Sequence, residues 1–171
     1  FDIESAPMKN IFLTGPPSSG KTTVIKKIIT GLKRPAKGFY TEEIRVDGKR
    51  QGFKMITLAG KEGLLGHRDI KSDYTVSKYG VSIENIDNIA VPAIIPDNQS
   101  QIIILDEIGK MECFSKKFKE AALQALDSNN TVIGTIAISG TEFIRKIKER
   151  CDIKIIEATE SNRHELPDKI L

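Results

Sequence analysis

Hydrophobic residues follow two different patterns along the 171 residues of this chain. Short continuous apolar runs are typical of strands buried on both faces of a parallel sheet, and apolar residues three and four positions apart are typical of helices that cover it. The predicted buried strands are residues 11–13, 102–105, 131–138 and 153–156. The predicted helices carry Val24, Ile25, Ile28 and Ile29; Phe114, Phe118, Ala122 and Ala125; and Phe143, Ile144 and Ile147; a terminal helix begins near Asn162, with Glu165 in a capping box.

Two segments rich in β-forming residues, 39–46 and 51–58, follow the first helix. They are joined by Asp47-Gly48, a dipeptide typical of tight hairpin turns. Residues 61–72 show no clear period, and residues 74–82 are expected to add another strand. A helix over residues 83–94 should kink or end at Pro92, because proline lacks the N–H that continues a helix.

Strands that alternate with helices predict a three-layer α/β domain with a mainly parallel sheet and a β-hairpin inserted after the first helix. The length fits one domain, which we place at residues 8–171. Residues 1–7 precede Met8-Lys9-Asn10-Ile11, which resembles a natural start, so we expect them to be an artificial extension or a flexible tail.

Composition narrows the class of protein. With 39% hydrophobic and 29% charged residues, no membrane-length apolar run and no recognisable signal peptide, a soluble globular protein is expected. The net charge of +3 argues against nucleic-acid binding, and the basic clusters are expected to be solvated helix faces. Cys113 and Cys151 lack metal-binding spacing, which favours free thiols and a cytoplasmic location.

An eight-residue loop directly after the first predicted strand carries recognisable chemistry. Gly15, Pro16, Pro17, Ser18, Ser19, Gly20, Lys21 and Thr22 match G-x-x-x-x-G-K-[ST], and the order of strand, loop and helix suits a phosphate-binding loop. In such a loop backbone N–H groups surround a triphosphate, while Lys21 contacts the β- and γ-phosphates and Thr22 binds Mg²⁺. The alternative is a chance turn with a surface lysine, which the correct flanking elements disfavour.

A second motif, Asp106-Glu107, ends the apolar run at residues 102–105. An apolar strand ending in aspartate is typical of a Walker B motif, whose carboxylate holds Mg²⁺ opposite Thr22. Since the metal needs one nearby carboxylate, Glu107 is free to polarise an attacking water, which predicts hydrolysis rather than transfer. The alternative is that Glu107 begins an exposed loop.

Other polar residues have weaker support. Lys110 and Glu112 follow the Asp106 strand on the ligand side, and each suits a surface loop equally well. Thr135 ends a strand where a γ-phosphate sensor is expected, although a core role explains it as well. Three arginines are candidates for stabilising transition-state charge, but a solvated position suits each better: Arg45, Arg50 and Arg163.

Five blocks of sequence then point to one family. They are Thr14-Gly15-Pro16-Pro17 through Lys21-Thr22-Thr23, Gly38-Phe39-Tyr40-Thr41-Glu42-Glu43-Ile44-Arg45, Leu105-Asp106-Glu107-Ile108-Gly109-Lys110-Met111-Glu112, Val132-Ile133-Gly134-Thr135-Ile136, and Asn162-Arg163 with Glu165-Leu166-Pro167. In these blocks, which span nearly all of residues 8–171, the chain resembles the THEP-type nucleoside-triphosphatase family. The second and third blocks discriminate best, because the phosphate loop occurs in many families.

The resemblance implies a RecA-like P-loop fold with an extra strand between the two motif strands. It implies slow hydrolysis of ATP, GTP and other nucleoside triphosphates with little base selectivity, and Mg²⁺ as cofactor. The roles implied are catalysis by Lys21 and Glu107, magnesium binding by Thr22 and Asp106, and nucleotide binding by Gly15 to Thr22 together with Asp106, Glu107, Ile108 and Gly109.

The chain departs from the family at two places. Ser18 stands where the family usually has glycine, at a position that the motif leaves free, so binding is expected to survive. After Thr135-Ile136 many members continue with histidine and basic residues, whereas this chain has Ala137-Ile138-Ser139-Gly140. A phosphate-sensing role for that loop is therefore in doubt.

Two other functions remain open. A nucleoside or nucleotide kinase shares the phosphate loop, but it needs an acceptor pocket and usually an arginine-rich lid, and no arginine-dense segment is present. A nucleotide-gated switch is the second alternative, with residues 38–58 and 61–82 as candidate surfaces for a protein partner.

Overall fold

The computed structural model of the protein describes residues 9–171, so the predicted tail at residues 1–7 lies outside the described part of the chain. The strands are β1 (Asn10–Thr14), β2 (Ala36–Val46), β3 (Lys49–Thr57), β4 (Glu62–His67), β5 (Thr75–Val76), β6 (Tyr79–Val81), β7 (Ile102–Ile108), β8 (Val132–Ile136) and β9 (Ile153–Glu157). The helices are α1 (Lys21–Gly31), α2 (Ile83–Asn85), α3 (Val91–Ala93), α4 (Lys116–Asp127), α5 (Glu142–Lys148) and α6 (Leu166–Ile170), with a π-helix at Ile86–Ala90 and a 3₁₀-helix at Glu112–Phe114.

All these strands belong to one sheet, in the order β5-β6-β4-β3-β2-β7-β8-β1-β9. Strands β2, β7, β8, β1 and β9 are parallel, and β3, β4, β6 and β5 extend the sheet with antiparallel pairing. Strand β8 lies between β1 and β7, as the family resemblance implied. The predicted α/β class is confirmed.

The predicted hairpin is present, but it is not an insertion beside the main sheet. Asp47 and Gly48 have φ angles of 51° and 75°, as a tight hairpin turn requires. The first part of β2 pairs in parallel with β7, and only the second part is confined to the hairpin. One long strand therefore belongs both to the central sheet and to the hairpin.

Residues 61–94 contain strands and helices that the sequence pattern predicted only in part. Residues 61–72 supply β4, and residues 74–82 supply two short strands, β5 and β6, rather than one. The helical stretch after them passes through the π-helix and ends at Ala93, one residue beyond Pro92. The expectation that proline would end this helix is therefore confirmed.

Two predicted helix starts are wrong. Phe114 lies in the 3₁₀-helix before α4, because Ser115 caps α4 by accepting a 3.0 Å hydrogen bond from the Phe118 N–H. The last helix begins at Leu166 instead of near Asn162, and Glu165 makes no capping bond. Asn162 instead bonds back to the end of β9, which leaves residues 160–165 in turns.

Apolar side chains fill both faces of the central sheet. Phe12 and Ile103 point to one core and their neighbours Leu13 and Ile104 to the other, and all four are fully buried. This arrangement explains why β1 and β7 are continuous apolar runs rather than alternating ones. No helix within residues 9–171 is long and apolar enough to cross a membrane. Cys113 is buried, Cys151 is exposed, and both are free.

Candidate active site

The phosphate loop and the end of β7 meet at the carboxyl edge of the parallel sheet, where ligands bind in open α/β folds. They line a cavity of about 1260 Å³ together with residues of β2 to β6. The residues of the predicted site that line it are Gly15, Pro17, Ser18, Ser19, Gly20, Lys21, Thr22, Asp106 and Glu107. Of the others, Pro16 is exposed beside it, Ile108 is fully buried in the core, and Gly109 packs against Glu107.

Asp106 is the best-anchored side chain of the site, and it is 2% exposed. Its Oδ2 accepts a 2.9 Å hydrogen bond from the Thr22 hydroxyl, and its Oδ1 accepts one of 2.6 Å from the Thr135 hydroxyl. The backbone N–H of Thr41 lies 3.4 Å from Oδ2. Burial raises the pKa of Asp106, whereas the hydrogen bonds from Thr135 and Thr22 oppose that rise.

Lys21 and Glu107 lie side by side at the start of the loop helix and the end of β7. The Lys21 ammonium donates a 2.8 Å hydrogen bond to the Gly15 carbonyl, and its Nζ is 3.5 Å from Glu107 Oε2. Burial raises the pKa of Glu107, and the positive charge of Lys21 opposes this. The structure therefore brings the two predicted catalytic residues together, with Glu107 still partly open to the cavity.

Ser18 is one of the two departures from the family pattern. Its φ angle is 66°, in the left-handed region where glycine is favoured. The glycine usual at this position would adopt that conformation without steric cost, whereas serine is strained there.

The loop after β8 is the second departure. Ala137, Ile138 and Ser139 line the cavity, and the Lys148 ammonium donates a 2.5 Å hydrogen bond to the Ile138 carbonyl. Burial lowers the pKa of Lys148, and the nearby charge of Lys21 lowers it further. A lysine from α5 therefore brings positive charge to this loop, which has no basic residue of its own.

Sequence patterns did not reveal how deeply Glu112 is buried. It is 3% exposed, it lines the cavity, and its Oε2 has no hydrogen-bond partner within residues 9–171. Burial raises its pKa well above the usual range, and the negative charge of Glu107 raises it further. No periodicity marks Glu112, because the turn of the 3₁₀-helix buries it.

The candidate arginines have different surroundings. Arg45 and Arg50 each form an ion pair with Glu43, at 2.8 Å and 2.7 Å. Arg50 and Arg163 both line the cavity, and Arg163 lies beside Gly20 of the predicted phosphate loop.

The mainly parallel α/β sheet with an extra strand between β1 and β7 is the fold of a P-loop nucleoside-triphosphatase, and the predicted phosphate loop after β1 and the buried Asp106 of β7 lie where the site of such a fold is expected. The similarity of the chain to known proteins supports the same class. The family model described as NTPase matches residues 10–171. Nucleoside-triphosphatase THEP1 of Thermotoga sp. (strain RQ2) is 48% identical over 162 residues, which cover 94% of this chain and 92% of that protein.

More distant relatives cover as much of the chain. The cancer-related nucleoside-triphosphatase of Homo sapiens is 38% identical over 178 residues, with 94% of each chain covered. The crystal structure of THEP1 from the hyperthermophile Aquifex aeolicus matches with a TM-score of 0.87 at 36% identity and covers 95% of this chain and 96% of that one. The chain belongs to this family of nucleoside-triphosphatases.

Proposed function

We propose that the protein hydrolyses nucleoside triphosphates to nucleoside diphosphates and phosphate, with Mg²⁺, slow turnover and little base selectivity. The observation that carries the proposal is the pairing of Thr22 with Asp106 directly beside the pairing of Lys21 with Glu107. The names of the relatives, which are nucleoside-triphosphatases, support the same reaction.

The donor atoms suit Mg²⁺. This ion prefers hard oxygen ligands and is usually bound by one or two carboxylates, waters and substrate phosphates. Asp106 and Thr22 offer a carboxylate and a hydroxyl within 2.9 Å of each other. Within residues 9–171 no group of three or more His, Cys, Asp or Glu side chains could hold a metal alone, which suits an ion shared with the substrate. When bound, Mg²⁺ neutralises charge on the β- and γ-phosphates.

Backbone and side-chain groups of the protein account for binding of the triphosphate and activation of water. The loop N–H groups and Lys21 hold the triphosphate and offset charge on the γ-phosphoryl oxygens. Glu107 lies next to Lys21, so its carboxylate accepts a proton from a water at the γ-phosphate end. The water oxygen bonds to the γ-phosphorus, and the bond from that phosphorus to the bridging oxygen breaks.

Phosphate release from ATP, GTP, CTP and UTP, with and without Mg²⁺, tests the proposal. We expect release without any acceptor, at similar rates for the four nucleotides, and its loss on chelation. Glu107→Gln should still bind nucleotide but hydrolyse it roughly 10²- to 10⁴-fold more slowly, whereas the exposed control Glu160→Gln should behave as wild type. Wild-type rates in Glu107→Gln would contradict its role, and diphosphate formation only with an added acceptor would indicate a kinase.

A further inference from the structure

Arg163 differs from the other arginines of the chain. There are seven, all within the described residues. In six of them the guanidinium has a partner: Arg34 with the backbone carbonyl of Ser100, Arg45 and Arg50 with Glu43, Arg68 with Gln51, Arg145 with Glu149 and Arg150 with Asp127. The Arg163 guanidinium makes no hydrogen bond or ion pair within residues 9–171. Its hydrogen-bonding and stacking capacity is therefore available to a ligand.

The turn that carries Arg163 is firmly held. Asn162 Oδ1 accepts a 2.7 Å hydrogen bond from the Thr159 N–H, and the Asn162 side-chain Nδ2 donates one of 2.8 Å to the Glu157 carbonyl. The Arg163 N–H donates to the Thr159 carbonyl over 3.0 Å. A rigid turn with a free guanidinium is the arrangement expected of a ligand contact, because little entropy is lost when the ligand binds.

The Arg163 side chain lies across the last glycine of the phosphate loop. A Cβ atom on Gly20 would be 3.1 Å from Arg163 Cδ and 3.6 Å from one of its terminal nitrogens. Gly20 also has a φ angle of 92°. Glycine at this position therefore both shapes the loop and leaves room for the arginine.

A second cavity, of about 270 Å³, opens beside the first, and the two share Gly20, Thr23 and Arg163 in their walls. Its other lining residues are Val24, Lys27 and His164. Thr23, Val24 and Lys27 follow Lys21 and Thr22 along α1, and neither Asp106 nor Glu107 lines this cavity. With Lys21 at the β- and γ-phosphates and Thr22 at the Mg²⁺ ion, as the proposed function has them, the second cavity lies toward the α-phosphate and the nucleoside.

We propose that this cavity receives the nucleoside and that Arg163 stacks its guanidinium on the face of the base. The assignment rests on the proposed function, which places the phosphates and Mg²⁺, and it adds the subsite for the nucleoside. A planar guanidinium stacks on any base, because every base has a π-face. Among residues 9–171, no Asn, Gln, Asp or Glu side chain lines the cavity to select a base edge. Binding by stacking gives affinity for a nucleotide without choosing among bases.

Calorimetric binding of ADP, GDP, CDP, UDP and inorganic pyrophosphate tests the assignment, since none of these ligands requires turnover. Arg163→Ala should weaken the binding of all four nucleotides about tenfold, as expected for the loss of one stacking contact. The binding of pyrophosphate should weaken less than about twofold. Arg163→Tyr keeps a stacking surface without the charge and should recover most of the nucleotide affinity. Arg34→Ala, at the opposite edge of the sheet, is the matched control, and melting temperatures check that each variant is folded.

Three results would overturn the assignment. Equal weakening of pyrophosphate and the nucleotides would make Arg163 a phosphate ligand. Arg163→Tyr as weak as Arg163→Ala would show that charge rather than stacking matters, and unchanged binding in Arg163→Ala would remove the subsite. A protein that binds nucleotides as expected but releases no phosphate would contradict the proposed hydrolysis alone.

Discussion

The Thr22 hydroxyl donates a 2.9 Å hydrogen bond to Asp106 Oδ2 and so links the first turn of α1 to the end of β7, 84 positions apart in sequence. The other carboxylate oxygen is held by Thr135 of β8. Asp106 is therefore oriented by side chains of the protein itself. Such preorganisation is what a site needs if its groups are not to reorganise during the reaction.

Thr135 can be tested with two substitutions. Thr135→Val keeps the shape but removes the hydroxyl that bonds Asp106 Oδ1 over 2.6 Å. Because a buried carboxylate then lacks a donor, we expect the free energy of unfolding to fall by about 1–3 kcal/mol and more Mg²⁺ to be needed for half-maximal hydrolysis. Thr135→Ser keeps the donor and should retain the wild-type Mg²⁺ dependence. Equal Mg²⁺ titrations for both variants would show that the hydroxyl only fills the core.

Lys21 is expected to be essential for catalysis. Lys21→Ala removes the ammonium that lies 2.8 Å from the Gly15 carbonyl and 3.5 Å from Glu107. Phosphate release should drop by roughly 10²- to 10³-fold, the usual loss when one preorganised donor is removed. Lys33→Ala, an exposed lysine beyond the far end of α1, serves as the control. Activity of Lys21→Ala within a few-fold of wild type would contradict the role of the loop.

Glu112 should make stability depend on pH. Its pKa is raised in the folded protein, mainly by burial, so the folded state holds the proton more tightly than the unfolded state. As pH rises above about 4, the ordinary pKa of glutamate, stability is lost progressively up to the folded pKa. Glu112→Gln mimics the protonated acid, so its melting temperature should rise relative to wild type over this range.

Thermal unfolding from about pH 4 to pH 8 measures this difference, with the control Glu160→Gln expected to follow the wild-type curve because Glu160 is exposed. A melting-temperature difference for Glu112→Gln that stays constant with pH would refute the titration and indicate a purely steric effect.

Gly38 should not tolerate a side chain. Its φ is 138°, and a Cβ atom there would lie 1.9 Å from the Ile104 carbonyl oxygen of β7. Gly38→Ala should therefore destabilise the protein by about 3 kcal/mol or more through overlap and strand displacement. Gly60 also has a positive φ, of 95°, but open space around it. Gly60→Ala should cost only about 1 kcal/mol of backbone strain, and equal melting temperatures for the two variants would contradict the steric argument.

Local patterns predicted the α/β class and the hairpin turn correctly. Each depends on residues within a few positions of one another, such as Asp47 beside Gly48. The predicted start of the terminal helix was wrong because it depends on a contact outside the local pattern. Asn162 bonds to the end of β9 rather than to the helix that the capping pattern predicted.

The sequence by itself determined which residues are candidates for the chemistry, because the loop from Gly15 to Thr22 and the pair Asp106-Glu107 are each contiguous and can be recognised in any fold that places a strand before them. The tertiary structure alone decided their neighbours. It placed β8 between β1 and β7, so that Thr135 reaches Asp106, and it laid Arg163 over Gly20. Such contacts depend on strand order and on turns that pack together, and residues that meet only through packing leave no periodic signal in the chain.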